Sequence, residues 1–295
     1  PLTQPQDSPG GNPFQVAEVI LVHDGAADRS DRVMEGLAER YPFVRLVWLA
    51  RNFGQHPATL AGMACTTSDW VVTMDEDGQH DPKDIGKLLD RAVATGTQLV
   101  YARPRNKPPH GRARNAFSKL AKLLFVHLLG HDNLGQFNSF RLVHGEIARS
   151  LAAYSGPNIY LDVALSWVVA AGTQCEVVLR RESDRASGYT YRKLLKHFLR
   201  LLLTTGTKPL RLISLMGLAS VALSLIISAY AAWAKLSTQT RVEGWTSLTI
   251  LICFFSGCIL SALGVIAEYL GATLLMTMGK PLYVVVTRPV RRSAA

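Results

Sequence analysis

Residues 70–82 read WVVTMDEDGQHDP, and the fold turns on how this stretch is read. Trp70 to Met74 is a short apolar run carrying two valines and a threonine. It stops at Asp75, Glu76 and Asp77, and Gly78, Gln79, His80 and the pair Asp81-Pro82 follow. A β-branched run bounded by turn formers reads as a buried strand. Asp81 then supplies an N-cap and Pro82 a first-turn proline, so a helix opens immediately afterwards. The unit is therefore strand, acidic loop, helix.

The same order recurs on both sides. AEVILVHD (17–24) is a strand ending at Asp24, after which Asp28 or Ser30 can cap a helix reaching Arg40. VRLVWL (44–49) is a second strand, and Pro57 starts the short helix PATLAGMACT. QLVYA (98–102) is a fourth strand. This alternation predicts an α/β domain over residues 1–190 with a mostly parallel, Rossmann-like sheet. Ligands of such sheets bind beyond the carboxyl ends of the strands. Asp24, Asn52, Asp75 and Asp77 are thus expected to line one cleft. The Pro/Gly-rich opening, PLTQPQDSPGGNPF, reads as a loop.

Asp75 and Asp77 are two residues apart, and positions i and i+2 of an extended segment point the same way. Two hard carboxylates at a strand end suit Mg²⁺ or Mn²⁺, which keep positions open for substrate phosphates. Gln79 continues the series as a third oxygen ligand. A solvated turn is the plainer alternative for Asp-x-Asp by itself; Asp24 at another strand end raises its specificity. The four cysteines (65, 175, 253, 258) form no C-x-x-C pair, which argues against a disulfide framework or a zinc site and for a reducing compartment. No P-loop, G-x-S-x-G, H-E-x-x-H or strand-following G-x-G-x-x-G is present.

After residue 190 the composition changes. Residues 191–211 begin YRKLLKHFLRLLL, with Arg192, Lys193, Lys196, His197 and Arg200 on one face and leucines with Phe198 on the other. That is the pattern of a helix lying in a membrane interface. Uncharged apolar runs follow at 213–234 and 248–267, each near the roughly 20 residues that cross a bilayer. Together they predict a two-helix hairpin within 212–272. Lys and Arg flank its two ends more heavily than its turn, so residues 1–190 and a tail at 273–295 are expected in the cytoplasm. The net charge of +10 suits a phosphorylated substrate, an anionic membrane or a nucleic acid. Because the charge gathers at the membrane junctions, nucleic acid is the weakest of the three. Arg103, Arg112, Arg114 and Arg141 come from separate segments, and Arg185 lies in the loop just ahead of the interfacial helix. Cations so placed can hold a phosphate-headed acceptor at the membrane surface. For Arg112 a solvated basic rim is the simpler reading.

These residues carry a family resemblance. VILVHDGAADRS, LARNFGQHPATLAGM and VVTMDEDGQHDPKDI, with RNAFSKL, SFRLV and RASGYTY further on, resemble the polyprenyl-phosphate glycosyltransferases of glycosyltransferase family 2, enzymes similar to dolichyl-phosphate mannose synthase. The two apolar runs resemble those of bacterial members. The resemblance implies a GT-A fold and an inverting, metal-dependent transfer of one sugar from a nucleotide-sugar to a polyprenyl phosphate at the bacterial cytoplasmic membrane. It implies that Asp24 contacts the donor nucleotide, with Asn52 and Asp75 beside it. Asp75, Asp77 and Gln79 would hold the metal and diphosphate. Arg103, Arg114, Ser118, Arg141 and Arg185 would meet the acceptor phosphate, with Asp77 and Arg185 central to catalysis.

Three departures stand out. Ser139 replaces the family's aspartate before FRL; Asp162 in YLDVAL is a candidate substitute base, with solvation on a helix surface the plainer reading. Gly78 replaces a usual leucine. The family's first strand has no counterpart, so the domain is expected to be N-terminally incomplete. The alternatives are a degenerate transferase-like membrane partner of glycan machinery and a processive polysaccharide synthase. The second is disfavoured because only Trp167 matches the Gln-x-x-Arg-Trp signature of that class. A homo-oligomer is compatible with the sequence.

Overall fold

The computed structural model describes residues 3–25, 30–106, 137–156, 160–170, 172–180 and 244–287, with scattered positions between 213 and 233. Arg112, Arg114, Ser118, Arg185 and the expected interfacial helix at 191–211 lie outside the described residues.

The domain begins with a small hairpin, β1 (Gln6–Asp7) with β2 (Pro13–Phe14), inside the segment expected as a loop. Asp90 organises it, accepting hydrogen bonds from the Ser8 hydroxyl, the Gly10 amide and the Asn12 side chain. Next come β3 (Val19–His23), α1 (Ser30–Arg40) and β4 (Val44–Leu49). β3 and β4 run parallel, from Val19 opposite Val44 to His23 opposite Trp48. Asp31 in the first turn of α1 and Arg40 in its last complement the helix dipole. α2 (Gln55–Ala64) starts two residues before Pro57, entered through Gly54 at φ 100°. β5 (Trp70–Thr73) leads through the acidic loop to a 3₁₀ turn at Pro82–Asp84 and then α3 (Ile85–Thr95). Asp81 caps that turn as expected, accepting from the Lys83 amide at 3.1 Å. β6 is Leu99–Pro104.

The expectation of one mostly parallel sheet is corrected here. Among the described residues there are two larger sheets, ordered β3-β4-β9 and β5-β7-β6-β8. β7 (Arg141–His144) lies antiparallel between β5 and β6, while β8 (Thr173–Val177) is parallel to β6. An antiparallel neighbour needs no crossover helix, and β7 passes straight into α4 (Gly145–Tyr154). Gly145 permits that corner: a Cβ there would sit 2.0 Å from the Ser68 carbonyl oxygen. α5 (Leu161–Val168) follows. α2 links the two sheets. Leu60 and Met63 join the core of Leu99, Tyr101, Val143, Leu161 and Leu165, whereas Ala61 packs with Val47 and Leu49. Each fully buried leucine contributes on the order of 1.5–3 kcal/mol, so α2 fixes the geometry of the strand ends on both sides.

The carboxyl-terminal part differs from expectation at both boundaries. α6 (Trp245–Thr277) is 33 residues long and continues ten residues past the expected span end at 267. Its Phe254–Thr277 segment is long and apolar enough to cross a membrane by length and composition. The described positions between 213 and 233 are helical. Beyond Gly279, which is left-handed at φ 65°, the chain returns to the α/β domain instead of forming a free tail. Ala50 donates to the Val284 carbonyl at 2.9 Å, and β9 (Val285–Val286) pairs antiparallel with β4. Leu282 and Tyr283 pack against the core.

Candidate active site

The loop after β5 is built differently from an extended strand. β5 stops at Thr73, and Glu76 and Asp77 already form a turn. The i, i+2 argument therefore holds no further than Asp75. Gly78 closes the turn at φ 75°, a conformation that favours glycine. This accounts for glycine where a leucine was expected. The Gln79 amide donates to Asp77 Oδ1 at 3.0 Å, so the contact Gln79 makes here runs through its backbone.

Asp75 is oriented by two other segments and by its own loop. Its Oδ1 accepts from Gln55 Nε2 at 2.7 Å, at the start of α2. Its Oδ2 accepts from the Ser139 hydroxyl at 2.5 Å, just ahead of β7. Its amide donates to His80 Nδ1 at 3.4 Å, and His80 is buried against the Phe140 ring with centroids 4.9 Å apart. Thr73 fixes Ser139 in turn, its hydroxyl donating to the Ser139 carbonyl at 2.6 Å. The residue that departs from the family pattern thus does a definite job: Ser139 carries no charge of its own and donates to Asp75.

Asp24, at the end of β3, closes the neighbouring loop. Its Oδ1 accepts from the Phe53 amide and its Oδ2 from the Gly54 amide, both at 2.7 Å. These charge-assisted bonds hold the turn that contains Asn52. Gly25 allows the approach: at φ 61°, a Cβ on it would lie 2.6 Å from the Arg51 carbonyl carbon. The structure therefore brings Asp24 against the loop that carries Asn52, and Asp75 joins α2 just beyond that loop through Gln55.

Arg141 and Asp162 occupy a different place from the one expected. Their side chains form an ion pair inside the domain, each only 4% exposed. Tyr101 lies beside them, its ring centroid 5.9 Å from the guanidinium carbon. Burial pushes the Asp162 carboxyl upward, opposed by the Arg141 charge. Burial and the Asp162 charge push the Tyr101 hydroxyl upward too. The expectation of Arg141 at an acceptor phosphate meets an arginine already engaged with a carboxylate and shielded from solvent. Asp162 as a base meets the same obstacle. Arg103 is exposed at the end of β6 and lines a groove of about 570 Å³ with Arg91 and β8. A second concavity, about 520 Å³, lies between α1 and β4 around Trp48. Neither includes Asp75 or Asp77.

Among the described residues no group of three His, Cys, Asp or Glu side chains could enclose a metal ion. Asp75 and Asp77 offer two carboxylates on an accessible loop, with Asp75 already steadied by Ser139 and Gln55. That donor set fits a hard divalent ion completed by water and substrate oxygens, and hydrogen-bonded carboxylates are usual ligands. It does not fit a closed structural site.

Comparison with known proteins adds the family. The model for glycosyl transferase family 2 matches residues 6–152, which hold Asp24, Asn52, Asp75, Asp77, Gln79 and Ser139. An undecaprenyl-phosphate 4-deoxy-4-formamido-L-arabinose transferase of Pseudomonas paraeruginosa is 30% identical over 86% of this chain and 75% of its own length. The chain belongs to glycosyl transferase family 2. It is a glycosyltransferase. The bactoprenol glucosyl transferase of Shigella phage SfX is 29% identical over 94% of this chain and 90% of its own length. Among solved structures, glucosyl-3-phosphoglycerate synthase from Mycobacterium tuberculosis with Mn²⁺ and UDP-glucose aligns at a TM-score of 0.45 and 15% identity, over 64% of this chain and 67% of that one. That likeness is too slight to bear on the site.

Sequence reasoning missed two residues of this site. Gln55 lies in a loop–helix junction with no signal of its own. Ser139 is visible as a departure from the family pattern, but its partner could not be named, because β5 and β7 pair across some seventy residues of chain.

Proposed function

We propose that this glycosyltransferase moves one sugar from a nucleotide-sugar to a polyprenyl phosphate at the bacterial cytoplasmic membrane, with inversion and with Mg²⁺ or Mn²⁺ on the donor. The observation that carries the reading is the Asp75–Asp77 turn, held by Ser139 and Gln55 beside the loop that Asp24 closes. Two relatives whose names specify bactoprenol and undecaprenyl phosphate support the acceptor. The apolar Phe254–Thr277 helix supports a membrane setting.

The ion, when bound, neutralises charge building on the departing nucleoside diphosphate. Asp75 and Asp77 hold it, and Asp24 keeps the Asn52 loop in place for the nucleotide. A phosphate monoester has a second pKa near 6 and is already ionised at neutral pH. Its oxygen can attack the anomeric carbon as the diphosphate leaves from the opposite side, with no proton to remove. The reaction then depends on alignment and charge compensation. This is why a hydroxyl at Ser139 and a buried Asp162 are compatible with turnover. Arg103, Arg114, Ser118 and Arg185 are the proposed acceptor-phosphate contacts, and the Arg141–Asp162 pair is proposed as structural.

The test uses the full chain in bacterial membranes or proteoliposomes, with a panel of labelled nucleotide-sugars, polyprenyl phosphate and either ion. One donor is expected to label the lipid phase with a mild-acid-labile product. Absence of labelled lipid with every donor would contradict the proposal.

A further inference from the structure

The stretch leaving β8 is stitched to two other parts of the domain. Arg105 donates its amide to the Val177 carbonyl at 2.9 Å. The Asn106 side chain then acts as a strand partner, donating to the Leu179 carbonyl at 2.8 Å and accepting from the Leu179 amide at 2.9 Å. The next residue, Arg180, crosses to the acidic loop. Its amide donates to the Gln79 carbonyl at 2.9 Å. Its guanidinium Nε and Nη2 both donate to Asp81 Oδ2, at 3.1 and 2.6 Å. Asp81 divides its carboxylate, because Oδ1 caps the following turn through Lys83. Gln79 is the next link, since its own amide donates to Asp77 Oδ1. A continuous path therefore runs from Arg180 through Gln79 to Asp77, anchored on the far side by Asp81.

We propose that Arg180 is a positioning residue for the Asp75–Asp77 turn: its guanidinium anchors on Asp81, which keeps its backbone amide on Gln79 and so holds Asp77 in its ligating orientation. The stretch that bears it comes from β8, and Arg180 precedes the juxtamembrane loop with Arg185 by five residues in sequence. Docking of this stretch and formation of the acidic turn are then one event. The pair is exposed, with Arg180 at 53%, and exposed ion pairs add little to global stability. Its effect is accordingly expected on the loop and its ligand, leaving the melting temperature nearly unchanged. The ligand named here rests on the donor-site reading above.

The experiment uses the full chain in detergent micelles or nanodiscs. Hydrogen exchange of peptides spanning 74–81 is measured alongside Mn²⁺ binding in the presence of UDP, followed by electron paramagnetic resonance. Arg180→Ala is expected to speed exchange at 76–80 and to weaken Mn²⁺ binding, each about fivefold, a coupling of the size seen between contacting residues. Arg180→Lys should recover part of both losses. Asp81→Asn keeps the cap and should match Arg180→Ala, and the double variant should be no worse than either single one. In turnover, the donor KM should rise while the acceptor KM stays put. Unchanged exchange in 76–80, or fully additive single effects, would overturn the inference. The two proposals fail separately: a wild-type chain that labels no lipid, with a loop still freed by Arg180→Ala, removes the reaction and leaves the clamp. Transfer that proceeds with an unmoved loop removes the clamp alone.

Discussion

Removing Asp162 separates the structural reading of the buried ion pair from a catalytic one. Asp162 and Arg141 are each 4% exposed and bonded to one another. Deleting one partner of a buried pair leaves an uncompensated charge and costs about 3–5 kcal/mol. Whole domains are stable by only about 5–15 kcal/mol, so Asp162→Ala should unfold at much lower denaturant and give poor yield. Replacing both residues by apolar ones of similar size, Asp162→Leu with Arg141→Met, removes the charge and its partner together. Such replacements are neutral or stabilising by about 1–4 kcal/mol in comparable cases. The double variant should therefore recover most of the stability and retain transferase activity per folded molecule. The assay is urea unfolding followed by tryptophan fluorescence, paired with turnover normalised to folded protein. An Asp162→Asn chain that folds like wild type but does not turn over would refute the reasoning, and so would an inactive, well-folded double variant. The first result would make Asp162 a base, and the second would return Asp162 or Arg141 to the reaction.

Two further outcomes follow from local geometry. Gly78 sits at φ 75°, and a Cβ added there would meet nothing within 4 Å, so substitution meets backbone strain without a clash. Gly78→Val should cost roughly 1–3 kcal/mol in the loop and raise the donor KM, whereas Gly78→Asn, which tolerates left-handed geometry, should be milder; equal effects would contradict this. Asp90 is the second case. Burial works against its charge but is outweighed by hydrogen bonds from Ser8, Asn12 and Gly10, which hold its carboxyl below the ordinary 3.8. A lowered folded value means stability present above 3.8 and lost as pH falls through the folded value. Proteolysis of residues 3–14 should rise in that window in the wild type, while Asp90→Asn should show rapid cleavage at every pH.

The strand–loop–helix unit at 70–82 was legible because its signals are local. The β-branched run, the Asp81-Pro82 cap and the acidic pair all lie within thirteen residues, and β5, the capped turn and α3 stand where the sequence places them. β4 matches residue for residue. The orientation of β7 was not legible, since SFRLVH has the same pattern in a parallel or an antiparallel neighbour. Its partners are chosen by core packing of Phe140, Leu142 and Val143. The turn at Asp77 departs from expectation because a strand's period says nothing about where the strand stops. Arg141 and Asp162 look like surface chemistry in the sequence because charge there carries no depth. Only the packing of α5 and β7 shows that each buries the other. Residues 281–286 read as a tail because two-residue strands have no pattern to detect, and β9 forms only where β4 offers it an edge.

The central claim is that the turn after β5 binds the donor's metal–diphosphate while a lipid phosphate accepts the sugar. Its most direct test compares wild type with Asp77→Ala in proteoliposomes containing polyprenyl phosphate, Mn²⁺ and the labelled nucleotide-sugar that serves as donor. The account predicts labelled lipid from the wild type, its loss on chelation of the ion, and at least a roughly hundredfold drop in Asp77→Ala, the order of effect expected when transition-state charge stabilisation is removed. Undiminished labelling of the lipid by Asp77→Ala would contradict it.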